Sequence, residues 1–191
     1  EVVKTMEEFE NVGVAQEIEK ACHQIHSIAK LHKLSVHSKE VYQKSYLAIS
    51  LHLEDFLSFE PYVYQPEEVK KLHAMRISAK RLRYTMEIFS ELYQDKLANS
   101  IDAVKNIQTI LGEINDCVVW VEFLQQFLDD EKARTLEYFG NTRSFHRLIP
   151  GINYLQMDRS QHREKLYNDF LEFWLKTKEE NLWERLLNQV L

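Results

Sequence analysis

Apolar residues recur at helical spacing along nearly the whole chain. Ile18, Cys22, Ile25 and Ala29 share one face of a segment from Val14 to about Lys33. A break follows near Leu34-Ser35-Val36. Ser38 then stands where it can cap a second helix, whose apolar face is Val41, Tyr42, Tyr46, Ile49, Leu53, Phe56 and Leu57. Residues 58–66 contain two prolines and read as a connector. Pro66 with Glu67 and Glu68 predicts a helix start, because proline suits the first turn and acids favour the positive end of the dipole. That helix is predicted to run to about Tyr93. A longer one is predicted from about Leu97 to Leu128, with Ile101, Val104, Leu111, Val118 and Leu124 inward. Residues 129–157 look less regular, with turn signals at Gly140-Asn141 and Pro150-Gly151. A further helix is predicted from Asp158 to about Lys176, carrying Leu166, Tyr167, Phe170, Phe173 and Trp174. A last short one carries Leu182, Trp183, Leu186, Leu187 and Val190. Residues 1–13, polar and acidic, read as an arm or a short helix.

Composition supports an all-α fold, an antiparallel helical bundle or bundles. Only 4 glycines and 3 prolines occur in 191 residues, which leaves little material for hairpins. The length fits one domain or two small ones, and 45% hydrophobic residues are enough for a core. The two cysteines, Cys22 and Cys117, have no metal-ligand spacing and suit reduced thiols in a cytoplasmic protein. No apolar run approaches the roughly 18 residues of a membrane span, so no membrane partner is expected. The sequence opens at Glu1 rather than Met, which weakens any reading of targeting signals.

Charge changes the picture most. The chain is acidic, with a formal net charge of -6, yet no acid occurs from Val69 to Met86. That stretch holds Lys70, Lys71, Arg76, Lys80, Arg81 and Arg83. Wound as a helix, it sets His73, Arg76, Lys80 and Arg83 along one stripe, with Arg81 to one side. Met75, Ala79, Leu82, Met86 and Phe89 flank the stripe on one side, and Ile77, Tyr84 and Ile88 on the other. Apolar flanks on both sides predict a helix packed twice, with the cations lining a groove between. Clustered cations are costly to desolvate unless anions are near. Either acids and amides of a neighbouring helix neutralise them, or an external polyanion does. Arginine suits the second role, because its planar fork grips phosphate oxygens bidentately.

On the following helix, Lys105, Gln108, Gly112, Asn115, Asp116 and Val119 share a face. A glycine inside a helix costs about 1 kcal/mol relative to alanine, and close approach of a helix or ligand is the usual reason for one. Gln108, Asn115 and Asp116 are therefore expected to orient the guanidinium groups of the basic stripe. Smaller basic clusters occur at Arg143, His146 and Arg147, and at Arg159, His162 and Arg163.

The run His-x-x-Arg-Ile-x-x-Lys-Arg-Leu-Arg-Tyr at His73–Tyr84 is followed by Gln108-x-x-Leu111-Gly112-x-x-Asn115-Asp116. In this order and at this distance, the pair resembles the CHAD family, the conserved-histidine α-helical domain. The resemblance implies paired four-helix bundles around a central groove lined by basic residues. It implies binding of inorganic polyphosphate without catalysis, frequent company with CYTH-type triphosphate-processing domains or proteins, and no cofactor. Carried over by motif position, His73, Arg76, Lys80, Arg81 and Arg83 become polyanion contacts. Lys105, Arg159 and Arg163 are weaker candidates, and Gln108, Gly112, Asn115 and Asp116 become supporting residues. Only one copy of the basic motif is visible, and it looks like the second-half version. The expectation is a single domain over 1–191, best matched over 66–191 and weakly over 1–60, with a first half that is missing or has diverged.

Three other readings compete. A helical interaction scaffold, its basic stripe neutralised internally by Asp116 and other acids, is the runner-up. Its mark would be Arg76 and Arg83 both saturated by carboxylates. A metal-binding protein or metal-dependent enzyme would rest on Cys22, His23, His26 and His73, but two ligands at i, i+4 are not a site. Nucleic acid is disfavoured by a pI of about 5.8 and by the lack of aromatics alternating with the cations. No phosphate-binding glycine loop or nucleophile–base pair supports a catalytic role.

Overall fold

The computed structural model describes residues 17–25 and 38–191, and the chain divides into two compact units, 1–41 and 42–191. In the first unit, residues 17–25 form a helix (α1) with Cys22 and His23 exposed. The remaining expectations for residues 1–16 and 26–37 lie outside the described residues. Ser38 accepts a hydrogen bond from the Val41 backbone N–H through Oγ at 3.3 Å, as expected of a cap.

The described residues contain α-helices and short 3-10 turns and no strand. Helix α2 spans Lys39–Leu57, a one-turn helix α3 spans Glu60–Val63, and α4 spans Val69–Phe89. Helix α5 spans Ala98–Phe139, α6 spans Ile149–Glu179 and α7 spans Leu182–Val190. Pairings within the second unit fix the directions. Ser78 of α4 donates to Asp55 of α2 at 2.5 Å, and Tyr42 at the other end of α2 donates to the Leu92 carbonyl at 3.0 Å. His73 meets Asn115, and Arg76 meets Gly112. Asn99, Asp102 and Asn106 of α5 line one cleft with Phe173 and Lys176 of α6. Successive long helices therefore run antiparallel, α2 to α4 to α5 to α6, as an up-down-up-down bundle.

Its core is the set of inward stripes. Leu72, Met75, Ala79, Leu82 and Met86 of α4, Val104, Ile107, Leu111 and Ile114 of α5, and Leu166, Phe170 and Trp174 of α6 are all buried. Phe56 of α2 lies edge-on to Trp174 and to Trp183 of α7, at centroid distances of 5.7 and 5.4 Å. The amphipathic α7 closes this end, burying Leu182, Trp183, Leu186 and Val190.

Three expectations are corrected. Helix α4 begins at Val69 rather than at Pro66, with Glu68 at its N-cap, and ends at Phe89 rather than near Tyr93, where a 3-10 turn over Ser90–Tyr93 takes over. Helix α5 continues to Phe139 instead of stopping near Leu128. Nothing between Leu128 and Phe139 breaks a helix; the stop comes at Gly140, which caps α5 in the left-handed region at φ 63°. Helix α6 starts at Ile149, nine residues before Asp158, because Pro150 sits in its first turn, where proline's missing N–H costs nothing. The proline read as a turn marker is thus a helix starter.

Candidate functional site

The site is built on the α4–α5 seam. Leu72, Met75, Ala79, Leu82 and Met86 anchor α4 in the core, so the stripe next to them is held at the edge of the packed surface. Arg76, Lys80 and Arg83 are half-buried there, while His73 and Arg81 are exposed. This gradation follows from helical rotation, since Arg76 and Arg83 stand nearest the buried stripe and Arg81 stands opposite.

Gly112 explains itself at this seam. A Cβ placed on it would lie 3.2 Å from Arg76 Nε. The Arg76 side chain therefore lies across the α5 backbone at the one turn that has no side chain. Its Nε is buried and has no hydrogen-bond partner. Among the described residues, no carboxylate lies within ion-pair distance of Arg76. One turn toward the N-terminus of α4, His73 Nδ1 lies 2.9 Å from Asn115 Oδ1. The imidazole donates through Nδ1–H, and its other nitrogen carries the lone pair in the neutral ring.

Toward the C-terminus of α4, Arg83 stacks on its neighbour Tyr84 at 4.6 Å from the ring centroid. Its Nε is 3.5 Å from Glu87 Oε1, a loose i, i+4 ion pair without hydrogen-bond geometry, and this Nε is also buried and unpartnered. The Arg83 side chain is only 16% exposed. Glu87 lies on the stripe itself and offsets part of its charge at that end. Gln108 is half-buried, and its Oε1 is a third buried polar atom on this seam with no partner.

Other expected residues stand as follows. Lys105 and Asp116 are exposed on α5. Asn115 holds the histidine rather than a guanidinium, and Asp116 makes no ion pair among the described residues. The expected orienting of guanidiniums by Gln108, Asn115 and Asp116 is therefore not what the side chains do. Arg159 and Arg163 are engaged elsewhere on α6. Arg159 pairs with Asp158, Nε to Oδ2 at 3.0 Å, and that hydrogen bond holds its pKa above the usual guanidinium range. Arg163 donates to the Pro66 carbonyl and lines a cavity of about 500 Å³ with Pro66, Glu67, Glu164, Tyr167 and Asn168. Both arginines lie on the side of α5 that carries Cys117, whose thiol is pushed up by burial and drawn down by Arg159. Cys117 stands about 140° around α5 from Gly112 at 100° per residue, so the α6 cations do not extend the stripe.

The second apolar flank also departs from expectation. Ile77 is half-buried, but Tyr84 is 46% exposed and Ile88 74% exposed. Sequence reasoning made both flanks packed walls; the structure packs one. Reasoning from sequence also missed Glu87 as part of the stripe and Asp55 behind it. The i+4 spacing from Arg83 could have found Glu87. Nothing local could have found Asp55, which reaches Ser78 from a helix 23 residues earlier.

Among the described residues no group of three or more His, Cys, Asp or Glu is placed to hold a metal. His26 lies outside the described residues. No described helix is long and apolar enough to cross a membrane.

Fold and site together define an all-helical domain with a cationic seam set beside its core. The chain matches the CHAD domain family over residues 13–125 and belongs to that family. The match includes the stripe and the Gln108–Asp116 face, and Arg159 and Arg163 fall beyond it. No curated protein and no solved structure was found to match the chain.

Proposed function

We propose that the protein is a non-catalytic binding module for inorganic polyphosphate or similar phosphate-rich anions. Contact is made by His73, Arg76, Lys80 and Arg83, with Arg81 and Lys105 at the exposed margins. The observation that carries this reading is Arg76, a half-buried cation laid over Gly112 with a buried, unpartnered Nε and, among the described residues, no carboxylate within ion-pair distance. An internally neutralised scaffold would have saturated it. Family membership points the same way, since CHAD domains are associated with polyphosphate.

Binding would proceed by charge neutralisation with counterion release, so affinity falls steeply with salt. On nucleic acids, each neutralised phosphate contributes roughly 0.7–0.9 to the slope of log affinity against log salt. Binding of long-chain polyphosphate, titrated at several salt concentrations, provides the test. Arg76→Ala combined with Arg83→Ala is expected to weaken binding strongly and to flatten the slope by roughly 1.5. Equal binding by the double variant and wild type would remove the assignment. Arg159→Ala is expected to change neither quantity, because that side chain is held by its neighbour Asp158 on α6 and not on the α4–α5 seam.

A further inference from the structure

The four-helix packing does not follow α5 along its whole length. Arg76 meets Gly112 and His73 meets Asn115, so the start of α4 at Val69 stands level with the Val119 turn of α5. Beyond that level α5 continues to Phe139, roughly 30 Å further at about 1.5 Å per residue. Helix α2 stops at Leu57, just past the Asp55 that meets Ser78, so α5 and α6 go on as a two-helix arm. Between Val119 and Lys165, Leu124, Thr135 and Phe145 are buried, and the other side chains are half-buried or exposed.

The connector at the tip of this arm is held in place. Asn141 accepts from the Arg143 backbone N–H at 3.1 Å and donates to the Phe139 carbonyl at 3.0 Å, and Phe145 is buried beneath it. On this fixed turn Arg143, His146 and Arg147 are exposed. No acid occurs from Tyr138 to Met157, in a chain whose net charge is -6. Glu137 and Asp158 bound that run, and Asp158 is paired with Arg159. Exposed apolar side chains accompany the cations. Tyr138 is 82% exposed and Phe139 60%, with their rings edge to face at 4.8 Å. Leu136 and Tyr138, two residues apart, stand about 160° apart around α5, and exposed Leu155 and Met157 do the same around α6. Apolar surface therefore faces opposite ways on both helices. A docked peptide or helix covers one side of a hairpin, whereas a layer that the tip enters end-on covers every side. A lipid headgroup layer is such a medium: aromatic rings settle at its depth, and its anionic lipids attract Arg and Lys.

We infer that the tip of the α5–α6 arm docks on membranes carrying anionic lipids. Tyr138 and Phe139 enter the headgroup region, and Arg143 and Arg147 meet the lipid anions around them. This departs from the expectation of no membrane partner, which rested on the absence of a span. A tip that enters only the interface needs none. The inference is independent of the polyanion reading, because the residues lie on another part of the fold.

Flotation of the full chain with vesicles provides the test. One set is phosphatidylcholine alone and the other contains phosphatidylserine. Wild type is compared with Arg143→Gln plus Arg147→Gln, with Tyr138→Ser plus Phe139→Ser, and with Arg76→Ala plus Arg83→Ala on the seam. The substituted tip side chains are exposed, so thermal midpoints of both tip variants are expected to match wild type. Wild type is expected to float with the anionic vesicles and far less with the neutral ones. Loss of the two tip arginines is expected to weaken binding by roughly 25-fold, about 5-fold for each. The aromatic variant is expected to lose roughly 10-fold or more, and the seam variant to float as wild type does. Equal flotation with both vesicle types, or unchanged flotation of either tip variant, would overturn the inference. So would loss in the seam variant alone, which would assign the lipid phosphates to Arg76 and Arg83 and leave the polyanion reading standing. Binding to soluble polyglutamate without flotation on any vesicle would overturn it in favour of an acidic protein partner.

Discussion

Gly112 shows how much one missing side chain can decide. In an exposed helix interior, Gly→Ala would stabilise by about 1 kcal/mol. Here the new methyl group would crowd Arg76 Nε at 3.2 Å, and the guanidinium would have to shift. Gly112→Ala is therefore expected to leave the thermal midpoint within a few degrees of wild type while weakening polyphosphate binding. A melt and a binding titration on the same sample separate the two effects. The cysteines offer a second check at this scale. Cys117 is buried and its pKa raised chiefly by that burial, so its thiolate fraction near neutral pH is reduced. Cys22 is exposed. An alkylating reagent at pH 8 is expected to modify one thiol quickly in the native protein and the second only in denaturant.

At the scale of the element, α4 carries the argument. Its apolar stripe commits it to the core, and that commitment drags Arg76, Lys80 and Arg83 to the edge of a packed surface. Ser78 on the opposite side ties it to α2 through Asp55, a charge-assisted hydrogen bond in partly buried surroundings. Ser78→Ala is expected to cost about 1–3 kcal/mol, because the Asp55 carboxylate loses its donor without returning to water. Urea denaturation, with an unchanged slope against denaturant, would measure it. Most of α4 was legible in the sequence: its span to within four residues, its buried stripe and its row of cations. The ends of α5 and α6 were not. Helix formers without a breaker carry α5 to Gly140, and a proline that stops a strand or a helix interior also starts a helix.

For the whole molecule, α7 and the aromatic cluster close one end of the bundle. Phe56, Phe170, Trp174 and Trp183 come from three separate helices and meet with centroid distances of 5.4–6.4 Å. Trp174 is fully buried. Phe56→Ala is expected to cost about 3–5 kcal/mol, read as a drop in thermal midpoint. Its effect on the salt dependence of anion binding should be slight in the protein that remains folded, since the cluster bears no charge. A net charge of -6 is compatible with the proposed polyanion binding, since such binding answers to the local potential along α4.

Periodicity alone determined that this chain is helical, and the absence of acids from Val69 to Met86 singled out α4, because spacing along a helix translates directly into position around it. Only tertiary packing decided which cations share a seam. Arg159 and Arg163 have the same chemistry as Arg76, but α6 turns them toward Asp158 and Pro66. The close pass of Arg76 over Gly112 and the grip of Asn115 on His73 depend on the register between two helices. That register is set by how buried side chains interlock across the interface, a property of two surfaces together that neither segment holds by itself.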